Sequence, residues 1–430
     1  MQTKRRKTEL LLLLASSIII ILAYALVSLG KHSSVPANIT PFLAVIVLVL
    51  AGAHIAMRRF APQSDSTLLP IAGVLNGLGY VIIARLDNDL AGLQASWTFI
   101  SVAAFITILA ISPSPTIYQR YKYTFLLLGV FLLVLPLFPV VGREINGARI
   151  WASLGSINFQ PGEFAKIALA IFFAGYLVER REILALTNTR VLGISVPEPR
   201  HLGPLVLAWG LSLLVMIAEK DLGSSLLFFM LFVALLWVST QKNSYLFISS
   251  ILFIGGAVFA WSLFTHVQKR VDVWIDPFAD PTGDGFQLIQ TSFALAEGGL
   301  TGTGLGVGNP ERIPEVETDF IFAAIGEEIG LFGTTAILLA FVLIIHSGFQ
   351  IAMKTKRPFE KLLATGLTTL LGFQSFIIIA GVIRVLPLTG VTLPFVSYGG
   401  SSLFANWVIV AILLRISNDS NNRIHRQGVQ

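Results

Sequence analysis

Long apolar runs separated by short polar turns dominate the chain. Runs near or above the length that crosses a bilayer, about 17–25 residues, fall at 9–29, 41–57, 68–84, 95–112, 123–141, 162–178, 204–218, 222–239, 245–265, 320–346, 362–385 and 402–416. The pattern predicts an all-α, polytopic membrane protein with about 12 transmembrane helices. Residues 266–318 break the rhythm with acids, glycines and prolines and predict one large loop. Within it, 286–296 reads as a short amphipathic helix lying on the membrane surface. Loops beyond about 12–15 residues are usually functional or disordered, and this one ends at Asp319, with Glu327 and Glu328 inside the next apolar run.

Composition agrees with the pattern. Hydrophobic residues make up 54% of the chain and charged residues 13%, against about 25% charged in soluble domains. The chain has no cysteine, which excludes a disulfide framework, a thiol nucleophile and cysteine-ligated zinc. Its six histidines lack ligand spacing, so no metal-binding residues are assigned.

The net charge of +6 matters through its distribution, and it predicts no nucleic-acid partner. With Met1 inside, 20 of the 30 basic residues fall on the inner face, including Lys4 to Lys7, Arg180, Arg181, Lys354 to Lys361 and Arg415. This bias predicts a multi-pass protein of the bacterial cytoplasmic membrane with both termini cytoplasmic and the 266–318 loop extracytoplasmic. Ala23-Tyr24-Ala25 resembles a signal-peptidase site, but cleavage there would invert the charge bias, so the first run reads as an uncleaved anchor. The expected organisation is a two-helix extension at 1–67, a transmembrane core at 68–416 and a cytoplasmic tail at 417–430.

Several polar groups stand out against this background. Gly142 to Trp151 brings Arg149 and Trp151 to the water interface, as an aromatic belt or as a cationic rim for an anionic headgroup. In Gln160-Pro161-Gly162-Glu163-Phe164-Ala165-Lys166 the proline suits a first helical position. Glu163 and Lys166, three residues apart, share a helix face and can pair. They read as an end cap with a snorkelling lysine, or as groups lining a cavity. Asp221 is placed to cap the helix after Glu219-Lys220. Lys269 and Arg270 form a positive patch, and the glycines from 298 to 308 could cradle phosphate but lack the Lys-Ser/Thr of a P-loop. Thr318-Asp319 reads as an ordinary N-cap pair or, with Glu327 and Glu328, as acids around an outward-facing wet cavity. The segment from Leu386 to Ser402, with two prolines and several hydroxyls at membrane depth, is expected to line the same cavity.

Five motifs in order carry a resemblance. They are Pro161-Gly162-Glu163-Phe164-Ala165-Lys166, Asp221-Leu222-Gly223, Asp280-Pro281 with Gly285-Phe286-Gln287, Thr318-Asp319-Phe320-Ile321-Phe322 with Gly326-Glu327-Glu328, and Leu393-Pro394-Phe395-Val396-Ser397-Tyr398-Gly399-Gly400-Ser401. Together they resemble the SEDS family of bacterial cell-wall proteins, the RodA, FtsW and SpoVE group, over residues 68–416. Two departures are visible. The family's adjacent Arg-Trp is here Arg149-Ile150-Trp151, and two N-terminal helices precede the ten-helix core, as in actinobacterial members.

The resemblance implies a peptidoglycan glycosyltransferase that polymerises lipid II into glycan strands and works with a class B penicillin-binding protein, a transpeptidase. Asp319 corresponds to the family's essential outer-face aspartate. A sugar hydroxyl must attack an anomeric carbon carrying a lipid diphosphate, so the reaction needs a base and nearby cations. Asp319 is accordingly the expected catalytic base. Lys166, Arg149, Lys269 and Arg270 are expected to neutralise the diphosphate, with Glu163 orienting Lys166 and with Trp151, Glu327 and Ser397 also at the substrate. No cofactor is assigned, and a divalent cation, magnesium or manganese, stays open. The short tail favours an elongation role. The alternatives are a division-specific polymerase, a lipid II transporter and a scaffold without transferase activity.

Overall fold

The computed structural model describes residues 2–33, 39–112, 114–145, 148–155, 157–186, 189–191, 194–196, 210, 214 and 217–427. Nine helices among the described residues are long and apolar enough to cross a membrane. In chain order the helices are α1 (Gln2–His32), α2 (Ile39–Phe60), α3 (Leu68–Leu86), α4 (Asn88–Ile111), α5 (Thr116–Arg120), α6 (Lys122–Val134), α7 (Pro161–Leu186), α8 (Leu222–Thr240), α9 (Asn243–Leu263), α10 (Thr265–Ile275), α11 (Phe286–Gly298), α12 (Ile321–Lys354), α13 (Pro358–Val382) and α14 (Gly400–Gln427). Nine of the expected spans coincide with the nine apolar helices, and α2 covers the expected 41–57 run. The run at 123–141 holds only the 13-residue α6 followed by a 3-10 turn at Leu135–Leu137, because Pro136 cannot continue the helix. The expected span at 204–218 lies outside the described residues apart from isolated positions.

The helical architecture is the expected one, and short strands supplement it: β1 (Gly142–Ile145), β2 (Ala148–Leu154) and β3 (Ile157–Phe159) form an antiparallel sheet, and β4 (Thr189–Val191) pairs with β5 (Ile194–Val196). These strands are short and their polar and apolar positions mix, so they carry little period-2 signal. Within the 266–318 segment the expected short helix is present as α11, and α10 and the 3-10 turns Pro277–Ala279 and Pro310–Arg312 accompany it.

The chain divides into two compact units. The first comprises residues 1–113, 273–351 and 374–430. Here α1 packs on α3, and α4 packs on α14, α3 and α2. Asp87 ends α3 and caps α4 by accepting from the Asp89 and Leu90 amides, which makes the turn between these helices tight. Trp407 of α14 is fully buried, donates from Nε1 to Asn76 Oδ1 (3.0 Å) and meets Phe105 edge-on at 5.4 Å. Asn76 passes the chain on by donating to Thr98 Oγ1 at 3.3 Å, so one polar thread ties α3, α4 and α14 inside their apolar packing.

The same unit contains a break in α12 that orders the glycine-rich segment. Gly330 has φ +70° and ψ −165°, outside the helical region. The amides of Leu331 and Phe332 therefore leave the helix and donate to the carbonyls of Gly299 (3.0 Å) and Leu300 (3.2 Å). In return the amides of Thr303 (2.9 Å) and Gly304 (3.0 Å) donate to the carbonyls of Glu327 and Glu328. Gly302, at φ +82°, lies so close to the Glu328 carbonyl that a Cβ would come within 2.2 Å of it.

The second unit comprises residues 114–272 and 352–373. Its centre is α7, which packs on α6 and α8 and buries Phe172 and Phe173. Pro161 starts α7, and Asp221 caps α8 by accepting from the Ser224 amide at 3.0 Å.

The Glu328 side chain adds an ionic lock to the break. Its Oε1 accepts from Arg85 Nε at 2.8 Å and its Oε2 from the Gly306 amide at 3.1 Å, while Arg85 Nη2 reaches the Gly308 carbonyl at 2.6 Å. Both charged residues are buried. Removing one partner of such a pair strands the other charge, a loss of about 3–5 kcal/mol. Arg85→Met is therefore expected to lower unfolding stability in detergent by about that amount, and Arg85→Met with Glu328→Gln to recover part of it. Thermal melts of the single and double variants check this, and a single variant as stable as the parent refutes it.

Candidate functional site

In the first unit Asp319 closes a turn in which the Thr318 and Asp319 amides both donate to the Glu315 carbonyl at 3.2 Å. Its carboxylate side is half-buried, while Val316, Phe320, Ile321 and Phe322 on either side are buried and anchor the turn. A second segment grips it. Ser397 Oγ donates to the Thr318 carbonyl at 2.5 Å and accepts from the Leu393 amide at 2.9 Å. The Tyr398 amide donates to the Glu317 carbonyl at 2.8 Å. Behind that segment Gln374 Nε2 donates to the Thr392 carbonyl at 2.9 Å. Two backbone grips thus fix the residues on which Asp319 stands. Ser397, expected at the substrate, is itself buried and holds the Asp319 turn through its backbone.

Glu327 has a partner in the glycine-rich segment. It is buried, and its Oε1 accepts from the Asn309 amide at 2.6 Å. With Glu328 bound to Arg85, both acids of the apolar run are held by the glycine-rich segment, so one wet cavity shared with Asp319 is not needed to explain them. Arg85 went unassigned in the sequence because nothing local links it to a carboxylate more than 240 positions away.

In the second unit Glu163 and Lys166 pair at 2.5 Å on one face of α7, both buried, as their spacing predicts. Asp221 is electrostatically close to Arg270 of α10 and to Glu163, and burial raises its pKa above the usual carboxylate range. Lys269 is exposed beside it on the same helix. On β2, Arg149 and Trp151 are two residues apart and share a face. Arg143 on β1 lies directly opposite Trp151, so it joins them there. Arg143 was visible only as part of the 142–151 stretch, because its alignment depends on a strand register that the sequence does not display. Beta-strand alternation also accounts for the inserted Ile150, which points to the other face.

The turn before α8 ties these pieces together. The Arg149 amide donates to the Glu219 carbonyl at 3.1 Å. The Glu219 side chain is buried, its Oε1 has no hydrogen-bond partner among the described residues, and burial together with Asp221 pushes its pKa up to about 9. Among the described residues no group of three or more His, Cys, Asp or Glu stands close enough to hold a metal ion.

The raised Glu219 pKa has a sign for stability. The folded protein keeps a proton that the unfolded chain releases near the usual value of about 4.3. Stability is therefore highest below that pH and declines as pH rises towards about 9. Melting curves between those limits should show a falling midpoint for the parent and a flatter profile for Glu219→Gln.

Comparisons with known proteins fit this architecture. The profile of the FtsW/RodA/SpoVE family, described as "Cell cycle protein", matches residues 78–422. The protein named peptidoglycan glycosyltransferase RodA of Mycobacterium tuberculosis is 44% identical over 96% of this chain and 91% of its own. A probable peptidoglycan glycosyltransferase FtsW of Alkalilimnicola ehrlichii is 34% identical over 85% of this chain and 91% of its own. A solved structure described as showing structural coordination of polymerization and crosslinking by a peptidoglycan synthase complex superposes with a TM-score of 0.68. It is 27% identical and covers 83% of this chain and 98% of that one. A multi-pass membrane chain with these motifs, this fold and these relatives belongs to the FtsW/RodA/SpoVE family.

Proposed function

We propose that this protein is a peptidoglycan glycosyltransferase that polymerises lipid II on the outer face of the bacterial cytoplasmic membrane during cell-wall elongation. The observation that carries the reading is the half-buried Asp319, held from two sides by the backbone bonds of Ser397 and Tyr398. A base has to keep a fixed position against an incoming hydroxyl, and a turn gripped in this way supplies it. The elongation role rests on 44% identity to a RodA, against 34% to an FtsW. Both termini are cytoplasmic in this proposal.

In the reaction the acceptor hydroxyl attacks the anomeric carbon of the donor. Asp319 takes the hydroxyl proton, the new glycosidic bond forms, and the bond to the lipid diphosphate breaks with its electron pair on the leaving oxygen. The leaving group carries negative charge. Lys166, Arg149, Lys269 and Arg270 are the cations proposed to meet it, with Trp151 offering the sugar an aromatic surface and Glu163 fixing Lys166. If a magnesium or manganese ion were held by the carboxylates, it would supply positive charge for the diphosphate, and no step is routed through it.

The proposed partners are lipid II, the growing glycan strand, surrounding membrane lipids and a class B penicillin-binding protein that crosslinks the product. The partner follows from the similar structure's description as a complex coordinating polymerisation and crosslinking. The transporter alternative drew on acids at membrane depth. Glu327 and Glu328 are engaged by the glycine-rich segment, and Glu163 by Lys166, which leaves that alternative without its main support.

Purified protein with its transpeptidase partner, given lipid II in detergent, tests the proposal. Asp319→Asn keeps the shape and hydrogen-bonding capacity but not the basicity, and polymerisation should fall by about 10²–10⁴-fold. Unchanged polymerisation removes Asp319 as the base, and lipid translocation in vesicles without polymer would favour the transporter.

A further inference from the structure

The two N-terminal helices lie before the stretch matched by the family profile, which begins at residue 78, and the proposed reaction gives them no task. In the first unit they wall a half-open pocket of about 300 Å³, whose other sides are formed by α3, α4 and α14. Ile20 and Tyr24 of α1 and Val49 of α2 face Gly77 of α3, Thr98 of α4 and Trp407 of α14. Without α1 and α2 the hollow would not exist.

Its lining decides what can fill it. By liquid volume it has room for on the order of ten waters, each of which needs two to four polar partners. The walls are mostly aliphatic and aromatic. The polar thread through them is committed, since Asn76 accepts from Trp407 and donates to Thr98. Water would be short of partners there, whereas an extended hydrocarbon chain would bury apolar surface against the helices that line the pocket. The lining residues on α1, α3, α4 and α14 belong to helices long and apolar enough to cross a membrane, where lipid chains are the surrounding solvent.

We propose that this cavity is a binding site for one long aliphatic chain of a membrane lipid, created by the N-terminal helix pair. Two sources carry that chemistry, the acyl chain of a phospholipid and the tail of a polyprenyl phosphate.

Photolabelling of the full chain in nanodiscs tests the site independently of catalysis. Diazirine-bearing phosphatidylglycerol and diazirine-bearing polyprenyl phosphate are used in separate arms, and adducts are mapped by mass spectrometry. Adducts are expected on Tyr24, Val49 and Thr98, and whichever probe gives them identifies the source. Val49→Trp fills the cavity and should lower this labelling on the order of tenfold, the effect of about 1.4 kcal/mol of lost binding. Leu48→Trp, at a neighbouring position 69% exposed, should leave it unchanged. Ala95→Leu, which fills the cavity from α4, serves as the second variant should Val49→Trp melt early. Adducts spread over exposed positions such as Leu22 and Leu48, or cavity labelling unaltered in both filling variants, would overturn the proposal.

Discussion

Backbone amides and carbonyls at membrane depth have no water to turn to, and this constraint shapes the first unit around Gly330. A helix broken there would leave two carbonyls and two amides without partners. The glycine-rich segment supplies all four by a reciprocal exchange with Glu327, Glu328, Leu331 and Phe332. The exchange needs close approach of two backbones, which explains glycine at 302 and at 330. A side chain at either position would run into the opposing main chain. The acids then follow: carboxylates beside a broken helix can accept the remaining amides of the segment, and Arg85 balances the charge of Glu328.

That arrangement bears on Asp319 through α12. The helix begins two residues after it, and the first turns of α12 are buried on the side chains of Phe320, Ile321 and Phe322. A helix held at its break by four exchanged bonds keeps its start in place, and Ser397 and Tyr398 hold the residues just before that start. The position of the carboxylate is thus fixed by main-chain bonds and apolar anchors on both sides. A proposed base set on such a support loses little freedom when a substrate arrives.

How much of this could be read from the chain depended on the range of each interaction. Nine of the apolar helices, the Pro161 start, the Asp221 cap, the Glu163–Lys166 pair and the short helix at 286–296 rest on contacts within a few residues, and these are present. The partners of Glu327 and Glu328 were not legible, because Arg85 and the glycine-rich segment reach them only through the fold. The helix break was hidden because Gly330 sits in an otherwise continuous apolar run, where a glycine is ordinarily tolerated. The sheet at 142–159 was missed for another reason: its strands are three to seven residues long, too short for alternation to stand out.

The sheet also changes how the inserted Ile150 is understood. Two residues side by side in a strand point to opposite faces, whereas two residues separated by one point to the same face. On β2 the spacing Arg149-Ile150-Trp151 therefore aligns the guanidinium with the indole, and the pairing of β1 with β2 brings Arg143 opposite Trp151 on that face. The departure from the family's adjacent pair builds a surface with two cations flanking an aromatic ring. The bond from the Arg149 amide to the Glu219 carbonyl then joins this strand to the turn that carries Asp221. In the proposed reaction the sugar linked to a diphosphate presents an apolar ring face next to concentrated negative charge, and this surface is the one proposed to meet both parts.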